Sequence, residues 1–309
     1  MPITEKQREQ RKNYLGGSDA PAVVGVDPWK TAADVYLSKV QNLSEPNLGE
    51  AAQIGNLCED AVLKWFRKET GFKITRNQFR VHENGFMAAH LDAVIHHEHA
   101  IVEAKTAGII TPFDRDQWGE IGTDQIPEKY IVQCQHQMAV MGAEIKIVWV
   151  PVLLGGVGFR MYRVERNDDL IQSLQHLEEQ FWKEHVQKNI PPPDSLPSLE
   201  IIKRLQRIPK KIVPIEDSLI QGWLDAKATA SAASKLKDES ERKILAALED
   251  AEAAECGFGT LTYFEQHRSA YTVKEQTFRV PRFKKNGDSH GENTRNDRSL
   301  TASAQHSDC

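Results

Sequence analysis

The sequence lacks several things that would assign it quickly to a class. It has only four cysteines in 309 residues, Cys58, Cys134, Cys256 and Cys309, widely scattered and with no CxxC pair. Neither a disulfide framework nor a cysteine zinc site is indicated, and a reduced, cytoplasmic chain is expected. No apolar run approaches the roughly 18 residues that a membrane span needs. The opening MPITEKQREQRK has no apolar core of a secretory signal. No repeat recurs at a solenoid-like period. Nor is there a large excess of one charge: 39 Lys and Arg against 44 Asp and Glu give −5. A protein coated in nucleic acid is usually strongly basic, so that class is disfavoured, while an enzyme with a local basic channel remains allowed. Apolar residues at 40% and charged residues at 27% fit a globular protein rather than a disordered chain.

What is present divides the chain. Three consecutive prolines, Pro191–Pro193, cannot continue a helix and mark a boundary after residue 190. The expected organisation is a core over 1–190, a Pro-rich linker over 191–210 and a C-terminal region over 211–283. That region holds an Ala-rich helix near 216–254 and short strands within 257–282. The tail, 284–309, is expected to be disordered because it has almost no large apolar residues. The mixed-sign tract 235–255 reads as a solvated helical face or coiled-coil arm.

Within the core, helices are expected at 31–41, 50–70, 128–141 and 167–186, with Pro127 at a helix N1 position. In the second of these Ile54, Leu57, Cys58, Ala61, Val62, Trp65 and Phe66 form one apolar stripe. Strands are expected at 86–95 and 100–106, joined by the polar turn His96-His97-Glu98-His99. A hairpin is expected from 146–154 and 157–165 around Gly155-Gly156. The fold class is α/β (α+β), a mixed sheet flanked by helices with a C-terminal helical and β appendage.

The chemistry centres on Asp92 and on Glu103-Ala104-Lys105. Residues two apart in a strand share a face, so Glu103 and Lys105 point the same way. If the His-rich segment turns the chain, Asp92 comes to lie beside Glu103. Two carboxylates and an ammonium are the parts of metal-assisted phosphodiester hydrolysis; a structural salt bridge at a strand end is the alternative. Tyr130, Gln133, Gln137 and Met141, at i, i+3, i+7 and i+11, place two amides in an otherwise apolar stripe, where they need partners. Glu59 borders the stripe of the 50–70 helix. Leu15-Gly16-Gly17-Ser18-Asp19 allows close backbone approach, with Ser18 a helix cap or a phosphate contact. His96, His97 and His99 with Glu98 offer a transition-metal set, or simply an exposed turn.

These motifs stand in a telling order: Arg11, then Leu15-Gly16-Gly17-Ser18-Asp19-Ala20, Gly55-x3-Glu59, Asp92, Glu103-Ala104-Lys105, and Tyr130-x2-Gln133-x-Gln135-His136-Gln137. In this order the chain resembles the YqaJ-type viral recombinase nucleases. They are the family of the phage lambda exonuclease, within the PD-(D/E)XK superfamily. The resemblance covers about residues 8–188, with an echo in the later TFRVPRF. The residue before Asp92 is Leu91 rather than the superfamily's proline. The 108–126 stretch matches nothing in the family, and its Asp114, Arg115, Asp116 and Trp118 suggest a DNA-facing loop.

The resemblance implies a restriction-endonuclease-like core and Mg²⁺-dependent 5′-to-3′ digestion of double-stranded DNA, with Mn²⁺ substituting. Asp92 and Glu103 would be metal ligands, joined by the Ala104 backbone carbonyl and aided by Glu59. Lys105 would be the catalytic lysine, and Tyr130 and Gln133 active-site residues. Arg11, Ser18 and Gln137 would contact DNA. The family also implies a ring-shaped trimer and a single-strand annealing protein that uses the 3′ overhang. An endonuclease of the same fold, and a DNA- or partner-binding module with a degenerate core, are the other readings.

Overall fold

In a computed structural model the described residues are 9–44, 49–108, 115–193, 195–267 and Pro281. The chain divides into two compact units, Met1–Ile212 and Val213–Cys309.

The first unit is built on a mixed sheet. Strand β1 (Leu15–Gly16) runs parallel to the start of β3 (Met87–Ile95), and β2 (Thr75–Val81) pairs with β3 antiparallel. The far end of β3 pairs antiparallel with β4 (Ala100–Val102). Strands β4 and β5 (Lys105–Ala107) follow one another along the same side of β6 (Ile147–Leu154), both parallel to it. Strand β7 (Gly158–Glu165) closes the expected hairpin with β6. Short helix α1 (Ala20–Val23) and α2 (Ala32–Val40) follow β1.

Helix α2 starts where its sequence says it should. Thr31 Oγ1 accepts from Asp34 N at 3.1 Å, and Asp34 Oδ2 accepts from Thr31 N at 3.1 Å, a complete capping box. Thr31→Ala removes one half of it and is expected to cost about 1 kcal/mol in urea denaturation. A variant indistinguishable from wild type would show that the cap contributes nothing.

The stretch expected as a linker packs on this helix. Ala33 N donates to Ser195 Oγ at 3.0 Å, Ser198 N to Asp34 Oδ1 at 2.7 Å, and Thr31 Oγ1 to the Leu196 carbonyl at 3.0 Å. It continues into α6 (Leu199–Arg204) inside the same compact unit.

Helix α3 (Glu50–Thr70) ends at Gly71, whose φ of 70° is the left-handed conformation that favours glycine. Its C-terminal half buries Leu63 and Phe66 against Ala93, Ile95, Ala100 and Val102 on one sheet face. Its N-terminal half lies more open, with Leu57 79% exposed, so the apolar stripe is longer than the face it buries. Helices α4 (Glu128–Met141) and α5 (Asp168–Phe181) help enclose the larger core cluster, which gathers Cys134 and Met138 with Met87, Leu91, Ile101, Val148 and Tyr162. Pro127 is the N-cap of α4, one place before its expected N1 position. Of the helix expected over 167–186, Asn167 is the N-cap of α5, and a π-helical turn, Trp182–Gln187, takes over after Phe181.

The second unit holds α7 (Asp217–Leu248), exposed along most of its length, and a hairpin of β8 (Ala253–Cys256) and β9 (Gly259–Thr262). The sequence placed residues 253 and 254 at the end of the helix; they open the first strand instead. The later strand-like stretch, TFRVPRF among it, and the 284–309 tail lie outside the described residues apart from Pro281. Among the described residues no helix is long and apolar enough to cross a membrane.

Candidate active site

The β3–β4 ladder pairs Ala93 with Val102. One step further along it, Asp92 and Glu103 face each other. The continuous strand expected over 100–106 is broken there. Glu103 N donates to the Trp149 carbonyl at 2.9 Å, while Ala104 N donates to Asp92 Oδ2 at 2.8 Å. Pairing resumes at Lys105, opposite Val152. The break brings a side-chain carboxylate to a backbone N–H that a regular strand would give to a carbonyl.

Glu103 is 5% exposed and fully engaged. Its Oε1 accepts from Lys105 Nζ at 2.6 Å and from Gln133 Nε2 at 2.6 Å, and its Oε2 from Gln137 Nε2 at 2.7 Å. Lys105 Nζ also donates to Gln133 Oε1 at 3.1 Å and lies 4.7 Å from the centre of the Tyr130 ring. The structure therefore unites Asp92, Glu103, Lys105, Gln133 and Tyr130. Gln137 corrects an expectation: it is 1% exposed and gives its amide to Glu103, so its side chain is not placed to touch DNA.

The electrostatics follow from the geometry. Burial, and then the Glu103 charge, push the Asp92 carboxyl well above the usual range. Burial pulls the Lys105 ammonium down, but Glu103, Tyr130 and Asp92 outweigh it and raise its pKa. Lys105 is thus held protonated, a hydrogen-bond donor and positive charge rather than a base. Burial also raises the Cys134 thiol, and Glu103 adds to the effect, which removes Cys134 as a thiolate nucleophile.

Gly55 lies against β5, where a Cβ would stand 3.4 Å from Thr106 Oγ1. Glu59, one turn on, is close enough for its charge to raise Asp92 further, but its Oε1 pairs with Arg76 Nη2 at 3.2 Å. Among the described residues no three His, Cys, Asp or Glu side chains gather at metal-binding spacing. The three histidines of the 96–99 turn are all exposed.

The glycine loop borders the same glutamines. A Cβ on Gly17 would sit 3.3 Å from Gln133 Cγ and 3.4 Å from Gln137 Cγ, so a larger residue there would require the Gln133 side chain to give by a few tenths of an ångström. Arg11 Nη2 donates to Ser18 Oγ at 3.4 Å, bringing these two expected phosphate contacts together. Asp19 is buried beneath them. It accepts from Gly16 N at 3.1 Å and Lys39 Nζ at 2.7 Å, and also pairs with Lys30. Burial opposes its charge, but Lys30, Lys39 and Arg11 hold its carboxyl well below the usual range. Lys39 Nζ donates in addition to the Arg11 carbonyl at 2.8 Å. Sequence reasoning did not single out Lys30 or Lys39. The available signal was that Lys39 follows Val35 by four residues and Tyr36 by three, on the buried face of α2.

Two neighbours in the Gln-rich run of α4 serve the frame instead. Gln135 Nε2 donates to the Glu165 carbonyl at 2.7 Å, and Gln135 Oε1 accepts from Asn167 N at 3.0 Å, clamping the turn between β7 and α5. His136 Nδ1 lies 2.9 Å from both Glu178 oxygens and its Nε2 lies 3.0 Å from the Ala88 carbonyl. Both neighbours are acceptors when Glu178 is ionised, so the ring is held as an imidazolium. Of the expected DNA-facing loop, only Trp118 departs from expectation. Arg115 and Asp116 pair with each other near the surface, Trp118 is buried against Tyr130 and Tyr162, and Asp114 lies outside the described residues.

Residues 7–144 match the sequence profile of the YqaJ-like viral recombinase domain. The chain resembles the YqaJ-like viral recombinases. One relative, the uncharacterized protein YqaJ of Bacillus subtilis, is 36% identical over 180 residues, 57% of this chain and 54% of that protein. The chain thus spans about half the length of its YqaJ relative. Among solved structures, the alkaline exonuclease LHK-Exo of Laribacter hongkongensis, determined alone and with dAMP, aligns with a TM-score of 0.50 at 20% identity. The alignment covers 60% of this chain and 94% of that one. At that identity the likeness is one of fold, and it is the fold expected from the YqaJ-type motifs. The profile match spans every motif from Arg11 to Gln137, so the YqaJ-like stretch contains both the carboxylate centre and the glycine loop.

Proposed function

We propose that the protein is a Mg²⁺-dependent double-strand DNA exonuclease of phage or prophage recombination. It digests one strand 5′ to 3′ and leaves a 3′ overhang for a single-strand annealing protein. The observation that carries this reading is the meeting of Asp92, Glu103 and Lys105 where β3 and β4 part. The exonuclease named among the structural neighbours and the YqaJ-like stretch support it.

The residues suit a hard divalent cation. A buried carboxyl whose proton affinity is raised by a second carboxylate beside it is relieved by positive charge. Asp92, Glu103 and the Ala104 carbonyl would hold the ion, all of them oxygen donors of the kind Mg²⁺ prefers, with Mn²⁺ an acceptable substitute. Glu59 would act from the next layer out. When bound, the ion supplies Lewis acidity toward the phosphoryl group and the attacking water. Lys105, fixed by Gln133 and held protonated, donates to the water and stabilises charge on the phosphoryl oxygens. Arg11 and Ser18 hold the terminal 5′-phosphate, with Asp19 and Lys39 supporting Arg11 from below. Assembly as a ring-shaped trimer around DNA, in the cytoplasm of a bacterial host, belongs to the same proposal.

The test uses linear duplex DNA with one 5′-end label beside a covalently closed circle. The expected result with Mg²⁺ is release of the label as mononucleotide while the circle survives. Cutting of the circle would move the reading to an endonuclease. Absence of cutting with Mg²⁺ and with Mn²⁺ would favour a DNA-binding module.

A further inference from the structure

Helix α4 sends two amides to Glu103, and they are not equivalent. Gln133 uses both ends of its amide, donating to Glu103 and accepting from Lys105. Gln137, one turn on, donates Nε2 to Glu103 Oε2 at 2.7 Å, while its own Oε1 is buried and has no hydrogen-bond partner among the described residues. The reverse orientation would set that carbonyl against the carboxylate, so the Glu103 charge dictates which way the amide points. A buried carbonyl left unpaired costs about 1–3 kcal/mol, and the contact with Glu103 is what the side chain gains in return. Its place is fixed from other sides as well. Cys134 and Met138, beside it on the helix, are fully buried, and its stem lies against Gly17 of the glycine loop.

The acceptor positions on Glu103 show what this contact does. An ionised carboxylate offers about four lone-pair positions, two on each oxygen. Lys105 and Gln133 take both on Oε1, and Gln137 takes one on Oε2. The position left is on Oε2, and the Gln137 donor sets its direction. Glu103 can therefore serve a cation through one oxygen, and chelation through both would require Lys105 or Gln133 to let go. Mg²⁺ demands near-ideal octahedral geometry, whereas Ca²⁺ takes more oxygens in a flexible arrangement and accepts a carboxylate through one oxygen or two. A carboxylate held still suits the first ion, and one free to turn suits the second as well. Resting on the nuclease reading, we propose that Gln137 is a positioning residue that fixes Glu103 as a one-oxygen ligand and so sets the site's preference for Mg²⁺ over Ca²⁺. Its effect on the ion passes through Glu103 alone, as hydrogen bonds to a ligating carboxylate do in metal sites generally.

The test uses the full chain without DNA. Binding of Mn²⁺ is followed by the EPR signal of the free ion, and Mg²⁺ and Ca²⁺ are then titrated in as competitors, which gives an affinity for each. Gln137→Met keeps the length of the side chain and removes the amide. Gln137→Leu removes it with a different shape, so a packing defect in one variant does not decide the outcome. Both are expected to melt cooperatively without metal. Each is expected to bind Mg²⁺ about tenfold or more weaker than wild type, and Ca²⁺ within about threefold of it. A merely structural role would change the melting temperature and leave the ratio of the two affinities where it was. Equal weakening of both cations overturns the proposal, as does a wild-type Mg²⁺ affinity in both variants. Failure of wild type to bind Mn²⁺ sinks the metal-dependent nuclease reading and this inference with it. Mn²⁺ binding by wild type with an unchanged Mg²⁺ to Ca²⁺ ratio in the variants sinks the role of Gln137 alone.

Discussion

Asp92→Asn is expected to abolish DNA hydrolysis, by about a thousandfold or more, and yet to melt at or above the wild-type temperature. The two effects have one cause. Burial and the facing Glu103 disfavour the Asp92 charge in the folded protein, so removing that charge stabilises the fold in the absence of metal. Asparagine still presents an oxygen to the Ala104 N–H, so the break between β4 and β5 keeps its hydrogen bond. Lys105→Met should be equally inactive but less stable, because it leaves Glu103 buried with only the two glutamine amides for company. Nuclease assays and thermal melts on the two variants separate the roles. Hydrolysis by Asp92→Asn near the wild-type rate, or a melt several degrees lower, would contradict the assignment of Asp92.

The second large effect concerns the frame. His136→Leu is expected to cost about 3–5 kcal/mol in urea denaturation, because it strands Glu178, which has no exposed surface. A His136→Leu/Glu178→Leu double variant should recover much of that loss, since an apolar pair leaves no buried charge. The pH dependence gives the sign. Burial lowers the His136 pKa, but Glu178 and the Ala88 carbonyl more than offset it, so the folded value is raised. The wild-type advantage over the double variant that comes from the ring is then fully present below about pH 6.5, the ordinary histidine value. It declines as the pH rises through the raised folded value. An advantage that instead grew above neutrality would show that the ring is neutral in the folded protein.

The meeting of the two carboxylates could be read from the sequence because it depends only on alternation along two strands and a turn between them. The break after Val102 could not. Alternation does not reveal that a carboxylate twelve residues upstream takes up the Ala104 N–H. The two glutamines were rightly judged to need partners, but periodicity gives a direction and not a depth. Gln137 therefore read as facing a cleft when it faces Glu103. Trp118 was misplaced for a related reason: beside three charged residues it looked like part of a surface loop, whereas Tyr130 and Tyr162, distant in sequence, enclose it. The cluster of Asp19, Lys30 and Lys39 is legible only once α2 folds back on the glycine loop.

Residues 133–137 carry one further consequence. On the proposed nuclease reading Gln133 and Gln137 answer to the chemistry, while Gln135 and His136 answer to the architecture, and all four share little more than one turn of helix. Selection on catalysis and selection on folding would therefore act on overlapping sequence here. A drifting descendant that had lost its activity would be free to change the first pair, while the second pair would persist for as long as the protein remained folded.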